Sequence, residues 1–87
     1  MADLGNPSSS LVLEPRTPVY SCDGEQVGRV ARVLNEPDAD IFEGIEVDPG
    51  GLTGERRFIA ADQIEEVFER GVLLKLDRAA AESAPQR

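Results

Sequence analysis

The hydrophobic positions of the 87-residue chain fall into short runs separated by turn residues, which is the pattern of a small all-β domain. The pattern extends over residues 11–76 and predicts six strands. The core segments of these strands are residues 19–20, 27–34, 41–47, 57–60, 67–68 and 72–76. Between the first two, the pair Asp23 and Gly24 supplies residues that tolerate a left-handed backbone and predicts a tight hairpin turn.

Two of the runs carry finer structural information. Residues 27–34 do not alternate strictly between apolar and polar positions, so we expect either a β-bulge or partial cover on both faces. Gly28 fits a bulge or a close approach of two backbones. Residues 41–47 alternate and predict a half-buried strand with its large aliphatic side chains on one face. These side chains are Ile41, Ile45 and Val47.

Residues 61–71 allow two interpretations. Asp62 followed by Glu65 imitates a helical capping box, and Gly71 is suited to the end of a helix, so local rules favour a short helix. The same residues also fit a single turn followed by a strand, with a hairpin at Gly71 that leads into residues 72–76. The residues alone do not decide between the two.

The two ends of the chain differ in composition from its middle. Residues 1–10 contain little apolar material and predict a flexible leader. Residues 79–87 are rich in alanine and predict a flexible or frayed helical tail. The folded domain is therefore expected over residues 11–78, and a domain this small is only marginally stable, which favours self-association.

Charge narrows the classes of partner. The chain has 17 acidic and 9 basic residues, and its net charge of -8 opposes direct binding to nucleic acid or to an anionic membrane surface. Eight of the nine basic residues are arginines, but they are scattered along the sequence and receive no functional role. The start of the chain does not resemble a signal peptide, and no apolar run has the roughly 20 residues of a spanning helix. A cytoplasmic location is expected.

Several kinds of chemistry lack their usual residues. The chain has no histidine, which removes the commonest general base and the preferred transition-metal ligand. The single cysteine, Cys22, has no partner for an intrachain disulfide, and the adjacent carboxylate of Asp23 disfavours its thiolate. We therefore expect no catalytic, cofactor-binding or metal-ligating residues, and a protein that is not an enzyme.

The order and spacing of four segments resemble the PRC-barrel family. Residues 17–30, Thr-Pro-Val-Tyr-Ser-Cys-Asp-Gly-Glu-Gln-Val-Gly-Arg-Val, are similar to its opening strand, Asp-Gly turn and second strand. Residues 45–47, 57–64 and 72–76 resemble later strands of the family. The resemblance implies a barrel of roughly six strands, with a turn and a strand rather than a helix over residues 61–71.

The family takes its name from the cytoplasmic domain of the photosynthetic reaction centre H subunit, and it also supplies the second half of a bacterial ribosome maturation factor. The 87 residues contain neither the transmembrane helix of the first nor the amino-terminal domain of the second, so we expect neither function to transfer directly. The resemblance implies a binding scaffold without a catalytic centre.

One run of acidic residues stands out as a candidate partner-binding surface. Its members are Glu36, Asp38, Asp40, Glu43, Glu46 and Asp48, with no basic residue among them. Such a run forms either a solvated edge or a surface that selects a basic protein. We expect a self-associating cytoplasmic adaptor or regulatory domain, in the form of a homodimer. The alternative is a small-ligand or metal-ion sensor, for which Asp38 and Asp40 offer oxygen ligands suited to calcium.

Overall fold

A computed structural model describes residues 4–8, 13–36, 41–50 and 55–85. The described residues form six strands, a 3-10 helix and an α-helix. In chain order these are β1 (Pro18–Tyr20), β2 (Gln26–Glu36), β3 (Ile41–Asp48), β4 (Arg57–Ala60), the 3-10 helix (Ala61–Gln63), β5 (Ile64–Phe68), β6 (Gly71–Leu74) and α1 (Arg78–Glu82).

The strands form one mixed sheet in the order β4-β3-β2-β1-β6-β5. All neighbouring strands are antiparallel except β1 and β6, which run parallel. The mostly-β, six-stranded fold expected from the sequence is therefore confirmed. The core lies on one face of this sheet and is built from small and branched apolar side chains. It contains Val19, Val30, Ile45, Val47, Ile59, Val72, Leu74, Ala81 and Ala84.

The irregular pattern of the second run reflects bulges in β2. Val19 pairs with Gly28 while Tyr20 pairs with Gln26, so one residue of β2 has no partner on β1. A second shift lies opposite β3, between Val30 and Arg32. Each extra residue reverses the faces of the residues beyond it, which explains why strict alternation fails.

The prediction that Ile41, Ile45 and Val47 lie on one face of β3 is wrong for Ile41. Ile45 and Val47 are buried, but Ile41 is 56% exposed and does not share their face. The pairing of β2 with β3 shifts at Gly44, so that Leu34 faces Gly44 and the next residue faces Phe42. This bulge turns Phe42 toward the core, where it packs partly buried, and leaves Ile41 in solvent.

Over residues 61–71 the structure has the turn and strand that the family resemblance implies, instead of the locally favoured helix. A single 3-10 turn precedes β5, which pairs with β6 and buries Val67. The carbonyl of Gln63 accepts a hydrogen bond from the Lys75 N–H at 2.8 Å. Pairing across the sheet thus outweighs the local helix signals.

The sequence predicts a flexible leader over residues 1–10, but residues 4–8, the part that the structure describes, pack against the domain. Residues 6–8 lie antiparallel to the outer edge of β5, with hydrogen bonds from Ser8 N–H to the Val67 carbonyl (2.7 Å) and from Glu69 N–H to the Asn6 carbonyl (3.0 Å). Leu4 is only 7% exposed and packs over Gly71. This segment is therefore held by the burial of Leu4 and by backbone hydrogen bonds along the outer edge of β5.

The tail of the chain also packs on the domain. Asp77 caps α1 by accepting the Ala80 N–H at 2.8 Å, and the helix buries Ala81 against the core. Beyond the helix, the Pro85 carbonyl accepts the Phe58 N–H at 2.8 Å. The described part of the predicted frayed tail thus covers the outer edge of β4.

Candidate functional site

The residues predicted for the first hairpin turn form it. Gly24 has a φ of 85° and donates its N–H to the Ser21 carbonyl at 2.9 Å. The buried Ser21 hydroxyl donates to the Asp23 carboxylate, which ties the turn together. Gly28 has a separate reason to lack a side chain, because a Cβ there would lie 2.4 Å from the Asp48 carbonyl oxygen. These residues are structural.

The acidic run lies on the β2–β3 hairpin, and the register of the sheet divides it. At the base of the hairpin, Asp48 lies opposite Arg29 and Glu46 lies opposite Arg32. Glu46 also forms an ion pair with Arg56, at 3.7 Å between Oε2 and Nη1. Basic residues that are distant in sequence therefore accompany this half of the run.

The other end of the hairpin carries the remaining members of the acidic run. Glu36 and Ile41 form the last described pair of the two strands, and Glu43 lies at the bulge, half-buried. Asp38 and Asp40, which the calcium alternative requires, lie outside the described residues. We define the distal arm as residues 32–36 of β2 and 41–43 of β3.

The distal arm has backbone pairing on one side only. The register of β2 with β1 ends at Arg29, and the last backbone contacts on that side join Val30 to Arg16 and Thr17. The register with β3 continues to Glu36. Within the described ranges, no strand pairs with that side of β2 after Val30, so the arm offers polar backbone groups beside the exposed Ile41.

Sequence reasoning missed two parts of this surface. The exposure of Ile41 depends on a bulge at Gly44, and an isolated glycine inside a strand pattern is the signal that could have indicated it. The arginines gather beside the acidic run through the pairing of β3 with β2 on one side and with β4 on the other. Their spacing along the chain carries no sign of this, because the neighbouring strands meet in antiparallel order.

The described residues offer few other groups suited to catalysis, metal binding or ligand binding. Cys22 is exposed, and its N–H donates to the Leu76 carbonyl at 2.8 Å. No group of three potential metal ligands of the His, Cys, Asp or Glu type comes together within the described ranges. A cavity of about 60 Å³ lies beneath α1, lined by apolar side chains together with Arg57 and Glu82. It is smaller than the ~150 Å³ of an apolar cavity that holds benzene.

One ionisable group has a perturbed pKa. The hydrogen bond from Arg78 Nε to Glu82 Oε1 (3.0 Å) raises the pKa of the Arg78 guanidinium, and the charges of Glu82 and Glu25 act in the same direction. Arg78 is fully charged at neutral pH with or without this effect. The contact belongs to the surface of α1 and gives no catalytic group.

The comparisons with known proteins agree with the fold. Among profiles of protein families, that of the PRC-barrel domain matches residues 16–80, about three quarters of the chain. A search of curated proteins found no match. Among the described residues, no helix is long and apolar enough to cross a membrane.

Proposed function

Because this match covers most of its length, the chain belongs to the PRC-barrel family, and from that premise we propose that it is a non-enzymatic protein-interaction module. Domains of this family are generally non-catalytic. In this proposal the protein is a cytoplasmic adaptor or regulatory domain. It self-associates as a homodimer and docks a basic protein through the distal arm.

The proposal rests mainly on the exposed side chain of Ile41, which lies on the distal arm. It is the large hydrophobic side chain that the described part of the chain leaves most open to solvent, at 56%. A hydrophobic anchor ringed by charged residues is a common arrangement at the centre of a protein interface. In the sequence the charged residues nearest to Ile41 are acidic, since Asp38 and Asp40 precede it and Glu43 follows it.

Charge favours a basic partner. The net charge of -8 attracts cationic surfaces at long range, and the acidic run from Glu36 to Asp48 contains no basic residue. Electrostatic complementarity of this kind chiefly raises the association rate and selects the partner, while Ile41 would contribute apolar burial. Binding should therefore weaken as salt rises.

Charge reversal at the distal arm and in the segment that joins its two strands tests the proposal. A tagged chain carrying Asp38→Lys, Asp40→Lys and Glu43→Lys is compared with the wild type for capture of cytoplasmic proteins at low salt. The matched control carries Asp62→Lys, Glu65→Lys and Glu66→Lys, which make the same change in net charge at exposed positions near β5.

We expect a basic protein to be captured by the wild type and the control and lost by the arm variant. A purified sample of that protein should then bind wild-type chain directly, and Ile41→Ser should weaken the complex. Equal capture by all three chains, or equal loss from both variants, would contradict docking through the arm.

A further inference from the structure

A groove beside the base of the β2–β3 hairpin brings together three arginines that are far apart in sequence. Its volume is about 320 Å³, and the arginines in its lining are Arg16, Arg29 and Arg56. The other lining residues include Val30, Ala31 and Asp48. We call it the arginine groove. Such a local concentration of positive charge is unusual on a chain whose net charge is -8.

Two of the three guanidinium groups are available to a ligand. Among the described residues, neither Arg16 nor Arg29 forms an ion pair. Arg29 Nη1 donates to the Arg16 carbonyl at 3.0 Å, which orients the guanidinium without neutralising it. The neighbouring Asp48 Oδ1 instead accepts a backbone N–H at 2.8 Å. Arg56 shares its charge with Glu46 at 3.7 Å, and 59% of its side chain remains exposed.

The backbone at Arg16 gives a second observation. Thr17 N–H approaches the Glu14 carbonyl at 3.4 Å, which closes a turn with Pro15 in its second position and Arg16 in its third. Arg16 has a φ of 74°, and among the described residues it is the one non-glycine with positive φ. The third position of such a turn favours glycine. Strained backbone is concentrated at functional sites, so a role for the Arg16 side chain would explain why an arginine occupies this position.

The positive charge of the groove lies towards its two ends. Arg16 precedes β1 and Arg29 lies on β2, whereas Arg56 immediately precedes β4. In the sheet β4 lies two strands away from β2, which is roughly 10 Å. Asp48 lies on β3, between these strands, and disfavours further negative charge in the middle. A ligand with an acidic group at each end and a short hydrocarbon chain between them matches this distribution.

We propose that the arginine groove binds a small dicarboxylate. One carboxylate is bound by Arg16 and Arg29 and the other by Arg56, because planar guanidinium groups bind carboxylates in two-point geometry. A volume of about 320 Å³ lies at the lower end of the range for small-molecule sites, roughly 300–1,000 Å³. The inference goes beyond the proposed function. No lining residue of the groove belongs to the distal arm, which stays available to the basic protein.

Other anions fit this groove less well. Nucleic acid needs many phosphate contacts, and the net charge of -8 repels a polyanion. Inorganic phosphate concentrates its charge at one point and has no hydrocarbon part to lie against Val30 and Ala31. A monocarboxylate such as acetate reaches only one end of the groove. A dicarboxylate should therefore bind more tightly than either of these small anions.

Calorimetric titration at low salt tests the inference. The probes are the straight-chain dicarboxylates from malonate to adipate, with acetate and inorganic phosphate for comparison. The groove variant carries Arg16→Gln and Arg29→Gln, which remove the charges but keep a polar side chain at each position. The matched control carries Lys75→Gln and Arg78→Gln, which remove the same charge at exposed positions outside the groove. Circular dichroism verifies that each variant is folded.

We expect wild type and control to bind at least one of the dicarboxylates at least tenfold more tightly than acetate or phosphate. The groove variant should lose at least tenfold in this affinity. Arg56→Gln alone should weaken the dicarboxylate but not acetate, since it removes one end of the site. A wild type that binds none of the dicarboxylates, equal affinity for phosphate or acetate, or a groove variant that binds like the wild type would overturn the inference.

Amide chemical shifts of the wild type locate the ligand without any substitution. Titration with the tightest dicarboxylate should move the resonances of residues 29–31 and Asp48 most. The largest shifts at α1, β5 or the distal arm would refute the groove as the site, even if calorimetry shows binding. Capture of a basic protein by the distal arm is measured separately and does not depend on either result.

Discussion

Replacement of Gly44 by alanine should destabilise the domain, because β4 crosses the position that the new methyl group would occupy. A Cβ at Gly44 would lie 2.2 Å from the Ile59 carbonyl oxygen and 3.0 Å from the Ala60 Cα. Both atoms belong to backbone that is paired with β3, so they cannot rotate away. Relief requires a shift of β4 or of the bulge.

The expected cost has two parts. Overpacking in a well-packed region costs about 1–3 kcal/mol. The φ of 152° at Gly44 is unfavourable for any residue with a Cβ, and a strained backbone of this kind adds about 1–3 kcal/mol. The sum, about 2–6 kcal/mol, is a large share of the roughly 4–13 kcal/mol expected for a domain of this size.

Gly50→Ala is the matched control. Gly50 also has positive φ, at 89°, but no atom of the described residues lies within 4 Å of a Cβ placed there. It should therefore show only the backbone cost, about 1–2 kcal/mol. Urea unfolding followed by circular dichroism measures both variants. If Gly44→Ala is no more destabilising than Gly50→Ala, the close packing of β4 over the bulge is refuted.

Two further predictions concern the ends of the chain. Leu4→Ala should lower stability by about 2 kcal/mol, since the truncated side chain is buried over Gly71; an unchanged urea midpoint would mean that this segment does not pack as described. Asp77→Ala should cost about 1 kcal/mol by removing the cap at the Ala80 N–H. Its effect should appear in thermal unfolding and be largely restored by Asp77→Asn, which keeps an acceptor oxygen; equal losses in both variants would argue against a capping role.

The covered ends of the chain have a consequence for self-association. Backbone groups on the outer edge of β5 bond to residues 6–8, and on the outer edge of β4 the Phe58 N–H bonds to Pro85. The Ala60 N–H, which points the same way, bonds to Gln63 Oε1 at 3.1 Å. Edges occupied in this way resist pairing with other chains. The open side of β2 in the distal arm is therefore the better candidate for contact with a partner.

The sequence predicted the strands well where a residue's environment follows from its immediate neighbours. The Asp23-Gly24 turn needs only local chemistry, and Ile45 and Val47 follow simple alternation. The residues around Val67 fit a local helix as well as they fit a strand. The strand that pairs with β6 was therefore predicted only from the family resemblance.

The features that the sequence did not predict depend on contacts across the sheet. Ile41 changes face because of one extra residue near Gly44, and a shift of one position reverses the outcome of any alternation rule. Leu4 is the one large aliphatic residue among residues 4–8, and its burial depends on its packing over Gly71 of β6. One surface groove brings together Arg16 and Arg56, which lie 40 positions apart in the chain.

Docking through the distal arm is tested most directly by amide hydrogen exchange of the chain, alone and in complex with the basic protein that it captures. The amides of residues 32–36 should gain protection in the complex, since no strand among the described residues pairs with one side of this segment. Amides of β5 and β6 should exchange as in the free chain. Protection confined to β5, β6 or α1, with residues 32–36 unchanged, would contradict the proposed function.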